Sequence, residues 1–333
     1  VEKFMTTSTV AAPAFSYYKV IGNQSGPPRP GFTAPIDVAL GPGGLLYVLS
    51  SYYEYDAKAK FVVKCNFEED YLAAFGAKGT GDDEFTWPNS LAVDRAGNVY
   101  VTDEWLNRIT IFSPQGKPAG KWGALGSKNG QWNRPAGMVF DVDDNLLVAD
   151  SLNHRIQKFT RDGQYLAKFG KFGAEPGQLN MPWGITLDRQ GNIYVADWRN
   201  DRIQKFSPEG RFLLAVGHTG QGDGEFRRPA DVAVDADGFI YATDWSNDRV
   251  QVFDPQGRFV TKFLGDCPGY SKWAVDRMAS NPENMKEQRE LVKDFTQERI
   301  FFQPTGILVD DQYRIVVTDT GRHRLQIYQK RGR

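Results

Sequence analysis

The sequence predicts an all-β protein, a six-bladed β-propeller of four-stranded antiparallel blades, and three observations lead there. The first is a phrase that opens on proline and recurs six times: Pro35-Ile36-Asp37-Val38, Pro88-Asn89-Ser90-Leu91, Pro135-Ala136-Gly137-Met138, Pro182-Trp183-Gly184-Ile185, Pro229-Ala230-Asp231-Val232 and Pro304-Thr305-Gly306-Ile307. Pro88, Pro135, Pro182 and Pro229 follow one another at intervals of 47 residues, and a fixed period of that length marks a repeat architecture. The second is the content of one period. The third is that the last period stops after three strands, at Tyr328-Gln329-Lys330, while a matching fourth strand stands near the other end of the chain.

The period that begins at Pro182 holds four short apolar segments separated by turn residues. Gly184 to Asp188 is closed by the turn Arg189-Gln190-Gly191-Asn192, and Ile193-Tyr194-Val195-Ala196 has the β-branched and aromatic content of a second strand. Arg202 to Phe206 alternates polar with apolar residues, Ser207-Pro208-Glu209-Gly210 is a type I turn sequence, and Arg211 to Val216 is the last strand. Four strands joined by short turns form a meander with two apolar faces. Such a sheet must stack on copies of itself, and a closed ring of copies leaves no end exposed. Ser16 to Gly22 matches Gln164 to Gly170 in pattern, so residues 15–21 are expected to pair beside Arg324 to Tyr328 and clasp the ring shut.

Between the second and third strands a further phrase recurs as Asp150-Ser151-Leu152-Asn153-His154-Arg155, Asp197-Trp198-Arg199-Asn200-Asp201-Arg202, Asp244-Trp245-Ser246-Asn247-Asp248-Arg249 and Asp319-Thr320-Gly321-Arg322-His323-Arg324, with Asp103 to Arg108 as a looser copy. This resembles the NHL-repeat family over about residues 15 to 328. The resemblance implies the propeller fold. It leaves function open, because propellers of this type include RNA binders, protein-binding scaffolds, sensor domains and a zinc-dependent peptide-amidating lyase.

Six units account for nearly all 333 residues, so residues 14–333 are read as one propeller behind a loose tail, residues 1–13. No apolar run approaches the roughly 20 residues of a membrane span. No signal peptide is readable at Val1, which an exported and trimmed chain would share, so the compartment stays open. Forty basic against 41 acidic residues give no global field for nucleic acid, which is therefore not the expected partner. Nucleic-acid binding would require Lys58, Lys60, Lys272, Arg199 and Arg227 to share one patch. The arginines at 108, 155, 202, 249 and 324 each follow an aspartate by five residues and are expected to pair with carboxylates and carbonyls at the blade edge. Cys65 falls in a column of phenylalanines and should be a buried thiol, too far from Cys267 for a disulfide.

The repeat is broken twice, and in a meander ring both breaks project from one face, here named the upper face. Residues 51–60 lengthen the loop of blade one with Tyr52, Tyr53 and Tyr55, and residues 267–300 form an insertion between blades five and six. Asn281-Pro282-Glu283 reads as a helix start, with a helix to about Phe295, and the insertion is expected to act as a lid over that face. Asp37, Asn89, Trp183, Asp231, Tyr52, Tyr53, Trp105, Trp198 and Trp245, with Trp273 on the insertion, compose an aromatic rim around a polar floor, as a ligand site requires. For Trp198 and Trp245 the alternative is packing between neighbouring blades.

The expected function is binding of a partner protein, a peptide or a small aromatic molecule at this face. The alternative is a calcium- or zinc-assisted hydrolase or lyase acting on a small molecule or peptide in the channel mouth. Asp37, Asn89 and Asp231 offer hard oxygen ligands that would suit Ca²⁺, as in six-bladed lactonases, with Glu104 or Tyr53 as proton carrier. Zinc in the amidating relatives is held by channel histidines, and no first-strand position carries one here. His154 and His323 occupy a repeat position where Asp201 and Asp248 stand in other blades, and so read as structural.

Overall fold

A computed structural model describes residues 13–51, 60–280, 282, 283, 294 and 296–331. Six four-stranded antiparallel sheets compose it, each a meander. In blade four the strands are Pro182–Leu187, Ile193–Asp197, Arg202–Phe206 and Phe212–Val216, from the centre outward. The innermost strands of the six blades are Pro35–Gly41, Pro88–Val93, Pro135–Phe140, Pro182–Leu187, Pro229–Val234 and Pro304–Val309.

The core lies between blades rather than within them. Side chains alternate across each strand, so Ile193 and Val195 enter the apolar cluster shared with blade three, while Tyr194 and Ala196 enter the one shared with blade five. Six such clusters fill the six seams. Each linker adds one apolar plug three residues before the proline: Phe32, Phe85, Trp132, Leu179, Phe226 and Phe301, all fully buried.

Ring closure follows the sequence expectation. The strand Ala14–Ile21 pairs antiparallel with Arg324–Arg331, from Ala14 opposite Arg331 to Ile21 opposite Leu325, and becomes the outer strand of blade six. Among the described residues no helix is long and apolar enough to cross a membrane. Cys65 and Cys267 are free and buried, and burial pushes the Cys65 thiol up to about 12.

The insertion departs from expectation. Its helix is Lys272–Ser280, in a stretch read from sequence as preceding a helix, whereas the helix expected from Pro282 to Phe295 falls almost wholly outside the described residues. Ser271 starts it, its Oγ accepting the Ala274 N–H at 3.1 Å. Trp273 is 5% exposed and sits edge-on to Phe32 and Tyr71, with its indole N–H donated to the Glu69 carbonyl. Ser271 Oγ donates to the Gly22 carbonyl and Lys272 pairs with Asp70 at 3.4 Å. These contacts lie on linkers and outer elements at the blade six to blade one seam. The described part of the insertion is thus a clasp over the closure, and Trp273 is its anchor rather than a member of the ligand rim. The physical reason is area: a large indole finds a dry seam there.

Candidate functional site

Each innermost strand starts at the upper face with its proline opposite the aspartate or serine that ends the second strand, as Pro182 stands opposite Asp197. The register then slips before Ile185 meets Val195. That bulge turns the residue two after the proline into the channel. The six residues there, Asp37, Ser90, Gly137, Gly184, Asp231 and Gly306, form a neck. A Cβ on Gly184 would lie 2.5 Å from the Asp231 Cα, and one on Gly137 would lie 2.5 Å from the Trp183 carbonyl oxygen, so neighbouring first strands approach one another backbone to backbone at the neck. A cavity of about 260 Å³ follows the innermost strands of all six blades, with Asn89, Trp183 and Thr305 at its upper end and Leu40, Phe140 and Leu308 at its lower end.

The carboxylates of the neck join blades. Asp37 Oδ2 accepts from the Ser90 hydroxyl at 2.6 Å and the Leu91 N–H at 2.8 Å, and its Oδ1 accepts from the Val38 N–H. Asp231 repeats the device at the seam between blades five and six, accepting from Val232 N–H and, across to blade six, from Ile307 N–H at 2.9 Å. Burial pushes Asp37 up to about 6, and burial together with the charge of Asp37 pushes Asp231 well above the usual carboxylate range. The raised value of Asp37 adds stability that is complete below about pH 4 and is lost as the pH climbs through about 6, and Asp231 contributes with the same sign.

The donor set does not fit calcium. Every oxygen of Asp37 and Asp231 already faces a hydrogen-bond donor, which a cation would have to displace, and Asn89 stands one residue nearer the mouth. Among the described residues no three His, Cys, Asp or Glu side chains are grouped to hold a metal.

Around the neck, a second layer ties the upper face together. Asp150 is fully buried, and it accepts from the Asn133 N–H (2.7 Å), Asn153 Nδ2 (2.9 Å), Arg155 Nε (2.7 Å) and Gln157 Nε2 (2.9 Å). Asp197, Asp244 and Asp319 do the same for their arginines and glutamines. The arginine forks then donate to linker carbonyls, as Arg155 does to Lys128 and Gln131, which satisfies the expectation for this column. Blade two differs: Asp103 accepts from Thr86, Trp87, Trp105 and Leu106 N–H groups, and Arg108 reaches only carbonyls, leaving its Nε without a partner.

The residue before each of these arginines is left-handed and staples the next blade. Asn107, His154, Asp201, Asp248 and His323 accept, respectively, the N–H of Arg134, Met181, Arg228, Gln303 and Ala34, each the residue before a phrase-opening proline. The two histidines must be neutral at Nδ1 to do so, and burial pushes both below the usual imidazole range. A depressed histidine supplies stability that is present above about pH 6.5 and is lost as the pH falls below it. His323→Asn, which borrows the acceptor used at Asn107, is expected to stay within about 1 kcal/mol of the parent at pH 7.5 and to lose less stability on going to pH 5. Parallel slopes of unfolding midpoint against pH for the two proteins would contradict this.

What remains on the upper face is aromatic and cationic. Trp87 and Trp105 pack at 4.8 Å with Arg134 over Trp87 at 5.6 Å; Trp183 and Trp198 pack at 5.6 Å, with Arg228 over Trp198 at 5.0 Å and over Trp245 at 6.0 Å. Trp105 is 57% exposed. Glu104 is buried nearby and burial raises its carboxyl above the ordinary range, with Arg134 opposing that rise. Of the expected rim residues, Trp183, Trp198 and Trp245 form one group across blades four and five, Trp105 packs on Trp87 in blade two, Asp37 and Asp231 sit in the neck, and Tyr52, Tyr53 and Tyr55 lie outside the described residues. Trp198 and Trp245 do both jobs considered for them, since they pack on neighbours and still border the face. Of the basic residues whose convergence nucleic-acid binding would require, Lys272 is at the outer clasp, Arg199 and Arg227 belong to blades four and five, and Lys58 lies outside the described residues. Sequence reasoning passed over Trp87, Arg134 and Arg228. The signal was the column before the proline, which reads Ala34, Trp87, Arg134, Met181, Arg228 and Gln303.

Closed ring, repeated aspartate phrase and decorated upper face together define a six-bladed propeller of repeat type. The NHL repeat model matches residues 226–253 and 301–328, and the model described as SMP-30/Gluconolactonase/LRE-like region matches residues 58–221. These matches and the six blades make the chain a propeller that carries NHL repeats. No curated protein matches it by sequence. Among solved structures it is similar to a catalytically inactive histidine variant of virginiamycin B lyase from Staphylococcus aureus with quinupristin (12% identity, 95% of this chain and 99% of that chain, TM-score 0.58). It is also similar to a streptogramin B lyase (12%, 95% and 98%, TM-score 0.57) and to a protein of unknown function from Bacteroides thetaiotaomicron (16%, 96% and 76%, TM-score 0.61). At these identities the likeness is one of fold.

Proposed function

We propose that this protein is a binding propeller that takes a peptide, a partner protein or a small molecule on the upper face around the channel mouth. The observation that supports this is the rim itself: Trp105, Trp183, Trp198 and Trp245 occupy columns in which at least one other blade carries a smaller residue, such as Leu152, Ala136 or Ser151, so the fold does not require them. Trp198 has Ser151 and Thr320 as counterparts, and Trp105 has Leu152.

Binding is favoured over lyase chemistry of the kind named for the S. aureus neighbour by the use of the histidines. His154 and His323 are committed as inter-blade acceptors, and His218 is 75% exposed beside Glu225. None of the three belongs to an innermost strand.

The test is a thermal-shift screen of peptides and small molecules, repeated on Trp105→Leu and Trp198→Ser, whose replacements are residues the same columns already carry. Hits are expected to weaken at least tenfold in one or both variants. Hits that keep full affinity in both would refute the reading.

A further inference from the structure

The blade four to five sector of the rim carries more positive charge than its surroundings answer. Arg228 and Arg199 both lie over the indole of Trp198, at 5.0 and 5.8 Å, and neither forms an ion pair with any described residue. The carboxylates around them make other contacts and pair with neither guanidinium. Asp197 and Asp244 are fully buried against Arg202 and Arg249, and Asp201 gives one oxygen to the Arg228 backbone N–H and the other to the Thr219 hydroxyl. Two guanidinium groups on one ring repel each other unless an anion joins them.

Structure does not demand either arginine. In the column of Arg228 the other blades carry Ala34, Trp87, Arg134, Met181 and Gln303, and in that of Arg199 they include Leu152, Ser246 and Gly321. Arg228 is exposed, with its backbone N–H fixed at 2.7 Å to Asp201, its backbone left-handed, and its guanidinium beside Trp198 and Trp245. A guanidinium lying on indole faces with its edge donors unused is open to a carboxylate, which matches the guanidinium fork in two parallel hydrogen bonds.

We infer that the ligand of the upper face is anchored by a carboxylate borne on a flat apolar group, the carboxylate lying on Arg228 and Arg199 and the apolar group on Trp183 and Trp198. Trp183 supplies the ring surface because it stands 5.6 Å from Trp198 at a plane angle of 31° and also lines the channel mouth. This inference rests on the binding reading given above. The shared chemistry fits both a small aromatic acid and the carboxyl end of a chain that finishes in an aromatic residue.

The experiment titrates the full chain with 3-phenylpropanoate, with a pentapeptide ending in phenylalanine with a free carboxylate, with the amide of each, and with inorganic phosphate. At least one acid is expected to bind with Kd at or below about 1 mM, its amide at least tenfold more weakly, and phosphate more weakly still. Preference for the peptide assigns the chain terminus, and preference for the free acid or equal binding assigns the small molecule. Arg228→Gln and Arg199→Ser, both drawn from their own columns so that folding is retained, are each expected to reduce binding at least fivefold, while Arg258→Ala, in the turn between the third and fourth strands of blade five, leaves it unchanged. Equal binding of acid and amide, phosphate binding as tight as the acids, no binding of either acid, or indifference to both arginine substitutions would overturn the inference. Should the acids fail while other screening hits remain sensitive to Trp105→Leu or Trp198→Ser, the binding reading survives and the carboxylate anchor alone is refuted.

Discussion

Replacing Asp150 with alanine is expected to destabilise the protein by about 3–5 kcal/mol, the range for removing one partner of a buried ion pair. The reason is the number of donors that converge on it. The carboxylate accepts from Arg155, Asn153, Gln157 and the Asn133 backbone, and all of these are left facing a hole that water reaches poorly. Arg155 is only 7% exposed, so its charge has nowhere to go. Thermal unfolding should show a midpoint lower by roughly 5–10 °C. Alanine in place of Asp82, whose partner Lys121 is an exposed lysine, gives the contrast: surface pairs contribute about 0–1 kcal/mol, so the midpoint should barely move. A loss below 1 kcal/mol in Asp150→Ala would mean that the aspartate phrase is not what holds linker and blade together.

The second large effect is expected at Trp273. Its indole fills the seam between blades six and one against Phe32 and Tyr71, and Trp273→Ala should cost about 3–5 kcal/mol, as truncation of a buried aromatic does. Trp273→Phe keeps most of the apolar contact and gives up the hydrogen bond to the Glu69 carbonyl, so a loss of about 1–3 kcal/mol is expected. Neither variant should change the affinity of a rim ligand for the folded protein. Chemical denaturation measures the first outcome and a binding titration the second. A stable Trp273→Ala protein that has lost ligand affinity would return Trp273 to the binding face.

Most of the architecture was readable because the repeat multiplies every signal. Six prolines gave the blade number, the lone strand at residues 15–21 gave the closure, and the aspartate to arginine spacing gave the ion pairs. Residues whose role depends on a neighbouring blade were harder to read. Asp37 and Asp231 read as ligands from their place at the channel, whereas the fold also aims them at backbone N–H groups of the next blade. Arg134 and Arg228 were missed because the residue before a proline was read as linker, although its left-handed backbone projects it over the rim. The helix Lys272–Ser280 was missed because Asn281-Pro282 drew attention as a start, whereas Ser271 supplies the cap. Single-blade properties are legible in a repeat; cross-seam ones need the ring.

The eight tryptophans provide the most direct measurement of where ligand binds. In the ¹⁵N-indole spectrum of the whole chain, titrated with a ligand from the screen, shifts should be confined to Trp87, Trp105, Trp183, Trp198 and Trp245 on the upper face. Trp122 and Trp132, stacked on each other and on Phe159 within the seam between blades two and three, should stay fixed, as should Trp273. Saturation that moves the latter three indoles and leaves the five rim signals in place would show that the ligand-binding surface is elsewhere.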